Sequence, residues 1–280
     1  MPTPRLAVVS SATDQPYVLD ETTPAYYRRL DGTTFAPTVH AQGAWRTDEQ
    51  HMAPVSGLLA HAIDAHEPRE GMHVGRITFD ILGFIPARPG VVAVRTTRPG
   101  RTIELVEAEL QVDGRAVVRA TAWRLAHHDS ADVAGLELEP MGAPESFPLW
   151  HGAETWGGGY IRGLEIRIAE GRRPGRAQAW LRTDFALVDG ETSSPTTDLV
   201  RLVDTANGVA VRASPLEWMF PNVDLTIHLL REPVPGWVGL DTRVSMGAGG
   251  LGITSTTLHD VDGPVGRAEQ ILTVRRMPGR

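Results

Sequence analysis

The residues with the clearest chemical potential are one carboxylate and two amides in the second half of the chain. Asp204 follows the apolar run Leu199-Val200-Arg201-Leu202-Val203, which has the spacing of a buried helix face. Burying a charge is costly unless the charge is paired or used. Asn222 opens an alternating strand that continues to Leu230, and Gln270 interrupts an otherwise apolar strand. Because a helix carboxylate that faces two strand amides could hold and polarise a water molecule, the three residues predict a water-activating site.

These side chains need a helix and two strands to bring them together. Apolar spacing predicts one helix over about Met52 to Ala65 and a second over about Pro195 to Val211. Ser193 or Ser194 is the expected N-cap of the second helix, with Pro195 in its first turn. The strands predicted for the two amides are residues 222–230 and 266–274.

The chain contains two copies of one unit. The runs 91–96, 100–110 and 119–125 are echoed by 238–244, 250–258 and 267–274, at an offset of about 148 residues with a one-residue slip at the last hairpin. Farther upstream, the strand 77–81 corresponds to 223–227. The positions that match Asp204, Asn222 and Gln270 in the first copy are Leu58, Arg76 and Ala122. We therefore expect one active site in each chain, in the second half.

Each copy predicts an antiparallel sheet that wraps one central helix, because a lone apolar helix needs a sheet to cover it. The fold class is α+β, with two such repeats joined into one continuous sheet of about ten or more strands. The expected boundaries are an N-terminal repeat over 1–125, an acidic, proline-bearing linker over 126–150, and a C-terminal repeat over 151–280.

Composition excludes several functional classes. The chain has no cysteine, which removes thiol nucleophiles, iron–sulfur clusters and disulfides and fits a cytoplasmic protein. All 27 basic residues are arginine, so amine chemistry such as a Schiff base is excluded. A net charge of −7 argues against nucleic acid as a partner. The segment that begins at Met1 is too short and too weakly apolar for a signal peptide, and no run is long enough to span a membrane.

From about Tyr26 to Arg276 the sequence resembles the double-hotdog acyl-CoA thioesterases of the thioesterase II type, including their actinobacterial relatives. The stretches that carry the resemblance are Arg76-Ile-Thr-Phe-Asp80, Phe84-Ile-Pro86, Arg98-Pro-Gly-Arg-Thr102, Pro221-Asn-Val-Asp-Leu-Thr-Ile-His-Leu229, Arg231-Glu-Pro233 and Gly236-Trp237. This resemblance implies a double-hotdog fold, an acyl-CoA substrate and the release of free acid and CoA without a cofactor.

The same resemblance implies roles for particular residues. Asp204 and Gln270 match the family's catalytic aspartate and glutamine by type, whereas Asn222 stands where a hydroxyl is usual. The first helix of the family commonly begins with adjacent glycines, and here the stretch is His51-Met-Ala-Pro-Val-Ser-Gly57. We expect the backbone N–H groups of Val55, Ser56 and Gly57 to stabilise the oxyanion, and His51 to lie near the substrate. Arginines at the mouth of the site are expected to meet the CoA phosphates.

Other motifs are better explained by structure than by function. The segment Gly247-Ala-Gly-Gly-Leu-Gly252 matches a dinucleotide fingerprint, but a strand-like run follows it where a helix is required. The ten histidines show no metal-ligand spacing, and no nucleophile elbow precedes a serine. The run Trp156-Gly-Gly-Gly-Tyr160 predicts a flexible loop at a pocket mouth.

Two alternatives to hydrolysis stay open. A hydratase or dehydratase on the same fold would want an aspartate–histidine pair, and the sequence shows no histidine beside Asp204. A non-catalytic acyl-thioester-binding protein would fit a site that has lost the hydroxyl and the glycines. Exposed sheet edges predict further pairing of chains, so we expect a homodimer or a larger homo-oligomer.

Overall fold

The computed structural model describes residues 17–278. The segment at Met1, predicted not to be a signal peptide, lies outside them. The helices are α1 (Met52–Ala65), α2 (Gly159–Arg162), α3 (Pro195–Val203) and α4 (Ala206–Val209). The strands are β1 (Ala25–Arg29), β2 (Thr34–Pro37), β3 (Met72–Ile81), β4 (Gly90–Arg98), β5 (Ile103–Val112), β6 (Arg115–Ala126), β7 (Leu149–Trp150), β8 (Glu165–Ile168), β9 (Arg176–Arg182), β10 (Ala186–Val188), β11 (Trp218–Met219), β12 (Asp224–Leu229), β13 (Val238–Met246), β14 (Leu251–Asp260), β15 (Gly263–Thr273) and β16 (Arg275–Arg276).

Fourteen of these strands form one sheet in the order β10-β1-β2-β4-β5-β6-β3-β12-β15-β14-β13-β9-β8-β7. The two halves meet where β3 pairs antiparallel with β12, and Thr78 lies opposite Thr226 at this seam. Their hydroxyls are 3.3 Å apart. The prediction of one continuous sheet built from two repeats is therefore confirmed.

The repeat has a regular internal register. Val106 pairs with Ala122 in the first half as Thr254 pairs with Gln270 in the second, which is the same 148-residue offset that separates the two seam threonines. Ala122 is thus the counterpart of Gln270, as predicted.

The same register corrects one counterpart predicted from the sequence. The strand 77–81 was matched to 223–227, which made Arg76 the counterpart of Asn222. At the register of the sheet, Ile77 corresponds to Leu225 and the counterpart of Asn222 is Val74. The sequence match missed by two residues because a shift of two preserves the alternation of apolar side chains. The conclusion that the first half lacks the trio is unchanged.

Helix α1 runs over the predicted residues and is nearly enclosed. Ten of its fourteen residues are buried, as expected for a helix that is apolar on most of its surface. Its C-terminal turn is tied to the start of α3, where Asp64 accepts hydrogen bonds from Ser194 (2.5 Å) and Thr197 (2.9 Å). Ser194 is also the N-cap of α3, as one of the two predicted serines. The two central helices therefore pack against each other across the seam.

The second helix does not run unbroken to Val211 as predicted. Helix α3 ends at Val203, and Asp204 and Thr205 form a turn before α4. Asn207 and Gly208 are weak helix formers. In addition, the indole N–H of Trp156 donates to the carbonyl of Gly208 (3.0 Å). The break places Asp204 at the C-cap of α3 rather than in the middle of a helix.

The halves also exchange a strand at one edge of the sheet. Strand β10, which leads into α3 of the second half, pairs in parallel with β1 of the first half. Arg29 and Glu191 form a two-pronged ion pair beside this contact, at 2.6 and 2.8 Å. Each half therefore completes part of the other.

The segment between the repeats is largely irregular, with short 3-10 turns at Ala131–Val133 and Pro144–Ser146. It is fastened to the second half by hydrogen bonds from Trp180 to the carbonyl of Gly142 (2.8 Å) and between His259 and the carbonyl of Glu139 (3.0 Å). None of the helices within residues 17–278 is long and apolar enough to cross a membrane.

Candidate active site

Asn222 and Gln270 both contact Asp204, so the three side chains lie together, as the sequence predicted. The side-chain amides of Asn222 and Gln270 donate to the same oxygen, Oδ1 of Asp204, at 2.7 and 2.9 Å. Asn222 precedes β12 rather than opening it, and it forms a bridge to Leu272 beside Gln270 on β15. One carboxylate oxygen is thus fixed by two strands, and Oδ2 is left for other partners.

The carboxylate is enclosed, since Asp204 is 5% exposed and Gln270 is 2% exposed. Burial raises the pKa of Asp204 to about 7, although the hydrogen bonds from Asn222 and Gln270 act in the opposite direction. No arginine forms an ion pair with Asp204 among the described residues; Arg201 pairs with Asp198 instead. A carboxylate in this state exchanges a proton near neutral pH.

His51 stands beside Asp204, a neighbour that the sequence did not indicate. Its Nδ1 lies 3.7 Å from Oδ2 of Asp204, so a histidine does stand beside the carboxylate. The same Nδ1 accepts a hydrogen bond from the N–H of Ala53 (3.1 Å) and caps α1. Burial lowers the pKa of His51 to about 3. The ring is therefore neutral, and with Nδ1 as acceptor its proton belongs on Nε2.

The place where α1 begins changes the expected oxyanion site. Only the first few N–H groups of a helix lack an intrahelical partner. Because α1 begins at Met52, the N–H groups of Val55, Ser56 and Gly57 lie past that point, and all three residues are buried. Gly57 has a packing reason instead, since a Cβ there would lie 2.4 Å from Cβ of Arg201. A regular helix bonds these N–H groups internally, which disfavours them as oxyanion donors, and a role for the three residues in substrate binding stays a prediction.

A small apolar cleft lies next to the trio, with a volume of about 30 Å³, which is room for a water molecule. His51 and Thr205 form its polar part, and the remaining lining residues are Ala44, Trp45, Trp150, Trp156, Ile161, Ile166, Asn207, Gly208 and Val209. Trp45, Trp156 and Phe220 pack edge to face, with ring centroids 5.1 to 6.0 Å apart. The walls of the cleft beside the carboxylate are therefore largely aromatic and apolar.

The glycine run 157–159 is packed rather than loose. A Cβ at Gly159 would lie 1.7 Å from the carbonyl oxygen of Val39, so only glycine fits there. This close approach positions Tyr160. Its ring packs against that of His51 with ring centroids 4.2 Å apart, and its hydroxyl is 2.8 Å from that of Thr205. The run that was predicted as a flexible loop is thus packed in place. Its Trp156 lines the cleft, in line with the expected position at a pocket mouth.

No group of three or more histidine, aspartate or glutamate side chains within residues 17–278 is arranged to hold a metal ion. The side chains gathered at the site are one buried carboxylate, two amides and a neutral imidazole.

Two family models match the chain. Residues 41–125 match the acyl-CoA thioesterase N-terminal domain, and residues 140–274 match the acyl-CoA thioesterase C-terminal domain. Together they cover most of the sequence, and the second match begins inside the segment predicted as a linker. No curated protein matches the sequence.

Solved structures confirm the fold. A protein with a hot dog fold from Alicyclobacillus acidocaldarius is 17% identical over 90% of this chain and 97% of its own, with a TM-score of 0.71. A putative thioesterase II from Thermobifida fusca is 16% identical over 94% and 100%, with a TM-score of 0.68. An acyl-CoA thioesterase II from Mycobacterium marinum is 16% identical over 92% and 97%, with a TM-score of 0.62. At these identities the likeness establishes the double-hotdog architecture and nothing finer.

Proposed function

This chain belongs to the acyl-CoA thioesterase family, and we propose that it hydrolyses fatty acyl-CoA to the free acid and CoA, with Asp204 as general base. The observation that carries the proposal is that one buried carboxylate is held by two amides beside an apolar cleft. This is the arrangement needed to activate water against a bound thioester.

We place the water between Oδ2 of Asp204 and Oε1 of Gln270, two oxygen atoms of the trio that accept no hydrogen bond among the described residues. Oε1 of Gln270 is buried and has no hydrogen-bond partner among the described residues. A buried acceptor of this kind calls for a donor. A water that donates one hydrogen to Oε1 of Gln270 and the other to Oδ2 of Asp204 directs a lone pair toward the substrate.

Catalysis then proceeds in two steps that balance in protons and electrons. Asp204 removes a proton as the water oxygen bonds to the thioester carbon, and the carbonyl oxygen becomes an oxyanion. When the tetrahedral intermediate collapses, the carbon–sulfur bond breaks and the thiolate takes the proton from Asp204. Asn222, which touches the carboxylate, acts here as a positioning residue.

The oxyanion needs donors, and the neutral ring of His51 can supply one. Its Nε2 has no hydrogen-bond partner among the described residues, and the ring lines the cleft. We assign Nε2–H of His51 to the thioester oxygen in place of the N–H groups of Val55 to Gly57. A neutral imidazole suits this role, because its N–H is far less acidic than that of an imidazolium and can donate to the developing charge without transferring its proton.

The test is hydrolysis of a panel of acyl-CoAs, which is measured by the free thiol that it releases. Because Asp204 must be ionised to act as a base, kcat/KM should rise with pH up to about 7 and level off above that value. Wild-type protein that releases no thiol from any acyl-CoA would leave the non-catalytic binder as the better description. An activity that is flat between pH 5 and 9 would remove Asp204 from the role of base.

The position of His51 beside Asp204 favours one second candidate, a hydratase or dehydratase acting on enoyl or hydroxyacyl thioesters. Against it, Nδ1 of His51 already accepts a hydrogen bond from the N–H of Ala53 at the start of α1, so this atom is not free to exchange a proton with Asp204 or a substrate. Loss of enoyl absorbance from a 2-enoyl-CoA without thiol release would support the hydratase.

We also propose that the protein is cytoplasmic and forms a homodimer through its exposed sheet edge. Strand β7 ends the sheet, and its Leu149 is 53% exposed. Light scattering that gives the mass of a single chain at micromolar concentration would contradict the dimer.

A further inference from the structure

Strand β14 carries a buried hydroxyl that the fold does not use. Thr254 is fully buried, and its Oγ1 has no hydrogen-bond partner among the described residues. The next threonine on the same face of the strand, Thr256, is different, because its hydroxyl lies 3.1 Å from that of Thr242. A buried hydroxyl that is left unpaired destabilises a folded protein, so the hydroxyl of Thr254 calls for a partner.

The hydroxyl of Thr254 lies next to a second oxygen without a partner. Thr254 is directly opposite Gln270 in the pairing of β14 with β15, which places the two side chains on one face with their Cβ atoms about 5 Å apart. Within residues 17–278, only three buried side-chain oxygens lack a hydrogen-bond partner. Two are Oγ1 of Thr254 and Oε1 of Gln270, and the third belongs to Glu104, which is ion-paired with Arg124. One water molecule between Thr254 and Gln270 would satisfy both of their oxygens.

The first half of the chain shows the same position without a site. At the 148-residue offset of the repeat, the counterparts of Thr254 and Gln270 are Val106 and Ala122, which are also buried and directly opposite each other. Because valine has the shape of threonine, packing at this register does not require a hydroxyl. The two polar side chains occur together in the half that contains Asp204, which favours a role in the site over a role in the sheet.

We propose that the hydroxyl of Thr254 donates a hydrogen bond to the water molecule that Asp204 activates, and so fixes the direction from which that water attacks. The inference rests on the proposed function. A water that donates to Oδ2 of Asp204 and to Oε1 of Gln270 keeps two lone pairs. The bond from Thr254 occupies one of them, and the other is left for the thioester carbon. Three hydrogen bonds are also the usual number for a buried water.

Thr254 is a positioning residue in this scheme. It keeps its own proton throughout, so the proton transfers of the proposed reaction are unchanged. The side chain does not contact the acyl group, and its loss should therefore alter kcat rather than KM.

The first test compares Thr254→Val, which removes only the hydroxyl, with Thr254→Ser, which keeps it. We expect Thr254→Val to lower kcat about tenfold with KM unchanged, as for the loss of one hydrogen bond, and Thr254→Ser to keep most of the activity. Thr256→Val is the matched control, because Thr256 is buried on the same face of β14 and its hydroxyl is already paired with that of Thr242. It should leave kcat unchanged. Equal activity of Thr254→Val and the wild type would overturn the proposal.

A double substitution tests whether Thr254 and Gln270 hold the same water. In a Gln270→Ala background, Thr254→Val should lower kcat no further, because the water is already released. Losses that multiply would give Thr254 a role separate from Gln270 and would contradict the inference.

Crystallography and urea unfolding test the water site without turnover. Crystals of the wild-type protein should show a water within hydrogen-bond distance of Oγ1 of Thr254 and Oε1 of Gln270. The urea midpoint of Thr254→Val should fall if the hydroxyl is bonded to this water, and should rise if the hydroxyl is buried without a partner. A protein that has this water and hydrolyses no acyl-CoA would reject the hydrolase and keep Thr254 as a ligand of the water. An active protein without this water would reject the role of Thr254 and keep the hydrolase.

Discussion

Replacing Asp204 by asparagine should abolish catalysis and stabilise the protein at the same time. Asparagine keeps an oxygen at the position of Oδ1, where it can still accept from Asn222 and Gln270. It cannot remove a proton from water. We expect kcat to fall by about a hundredfold or more, the lower end of what a general base contributes.

The gain in stability follows from the raised pKa. In the folded protein the pKa of Asp204 is about 7, against 3.8 for the unperturbed group. A carboxyl whose folded pKa is raised contributes full stability below about pH 4 and loses it as pH rises toward 7. A shift of about three units corresponds to about 4 kcal/mol at pH 8, which asparagine would largely restore. Near pH 4 the two proteins should be equally stable.

Urea unfolding at pH 4 and pH 8, together with thiol release at pH 8, measures both effects. Asp132→Asn serves as the control, because Asp132 is exposed and has no ion pair within the described residues. Hydrolysis close to the wild-type rate would remove Asp204 from the mechanism. A variant that is less stable than the wild type at pH 8 would refute the claim that the buried, ionised carboxylate of Asp204 destabilises the folded protein.

Three further substitutions test the surroundings of the carboxylate. Asn222→Ala should lower kcat about tenfold, whereas Asn222→Thr should keep most activity because a hydroxyl can still donate; equal losses in steady-state assays would show that the amide itself is required. Gln270→Ala should lower kcat about a hundredfold with KM little changed, since it removes both a donor and the acceptor for water; a change in KM alone would argue for substrate binding instead. Gly57→Ala should destabilise the protein by about 1–3 kcal/mol through its clash with Arg201. Thermal melting should show this loss, and no loss for Gly135→Ala, where a Cβ meets nothing within 4 Å.

The sequence predicted the features that follow from the internal repeat and from the alternation of apolar and polar residues along the strands. The bounds of α1, the 148-residue offset and the single sheet were accessible, because each depends on local periodicity or on the comparison of two halves. The proximity of Asp204 and Gln270 was expected from their residue types and from the family resemblance. The two-residue error at Asn222 shows the limit of that method, because alternating strands match equally well in steps of two.

His51 was expected near the substrate, but its contact with Asp204 was not accessible from the sequence. Its contact with Asp204 joins the N-cap of a helix in one half to the C-cap of a helix in the other, and no spacing encodes how two helices cross. The stacking of Tyr160 on His51 depends in turn on the close packing of Gly159 against Val39. The pair Asn207-Gly208 was a sequence signal against a helix that continues to Val211, and it lies in the short helix α4, which ends at Val209.

The strand exchanged between β10 and β1 has a consequence for the order in which the chain folds. Ala25 and Tyr27 pair with Ala186 and Val188, so the edge of the first half waits for a partner some 160 residues downstream. During synthesis that edge is a row of unpaired backbone groups, a template for association with other chains. Contacts between residues this far apart in the sequence form late, and they slow the folding of the chain. The first half made alone should aggregate, and the whole chain should depend on rapid completion of its second half or on a chaperone that shields β1 until then.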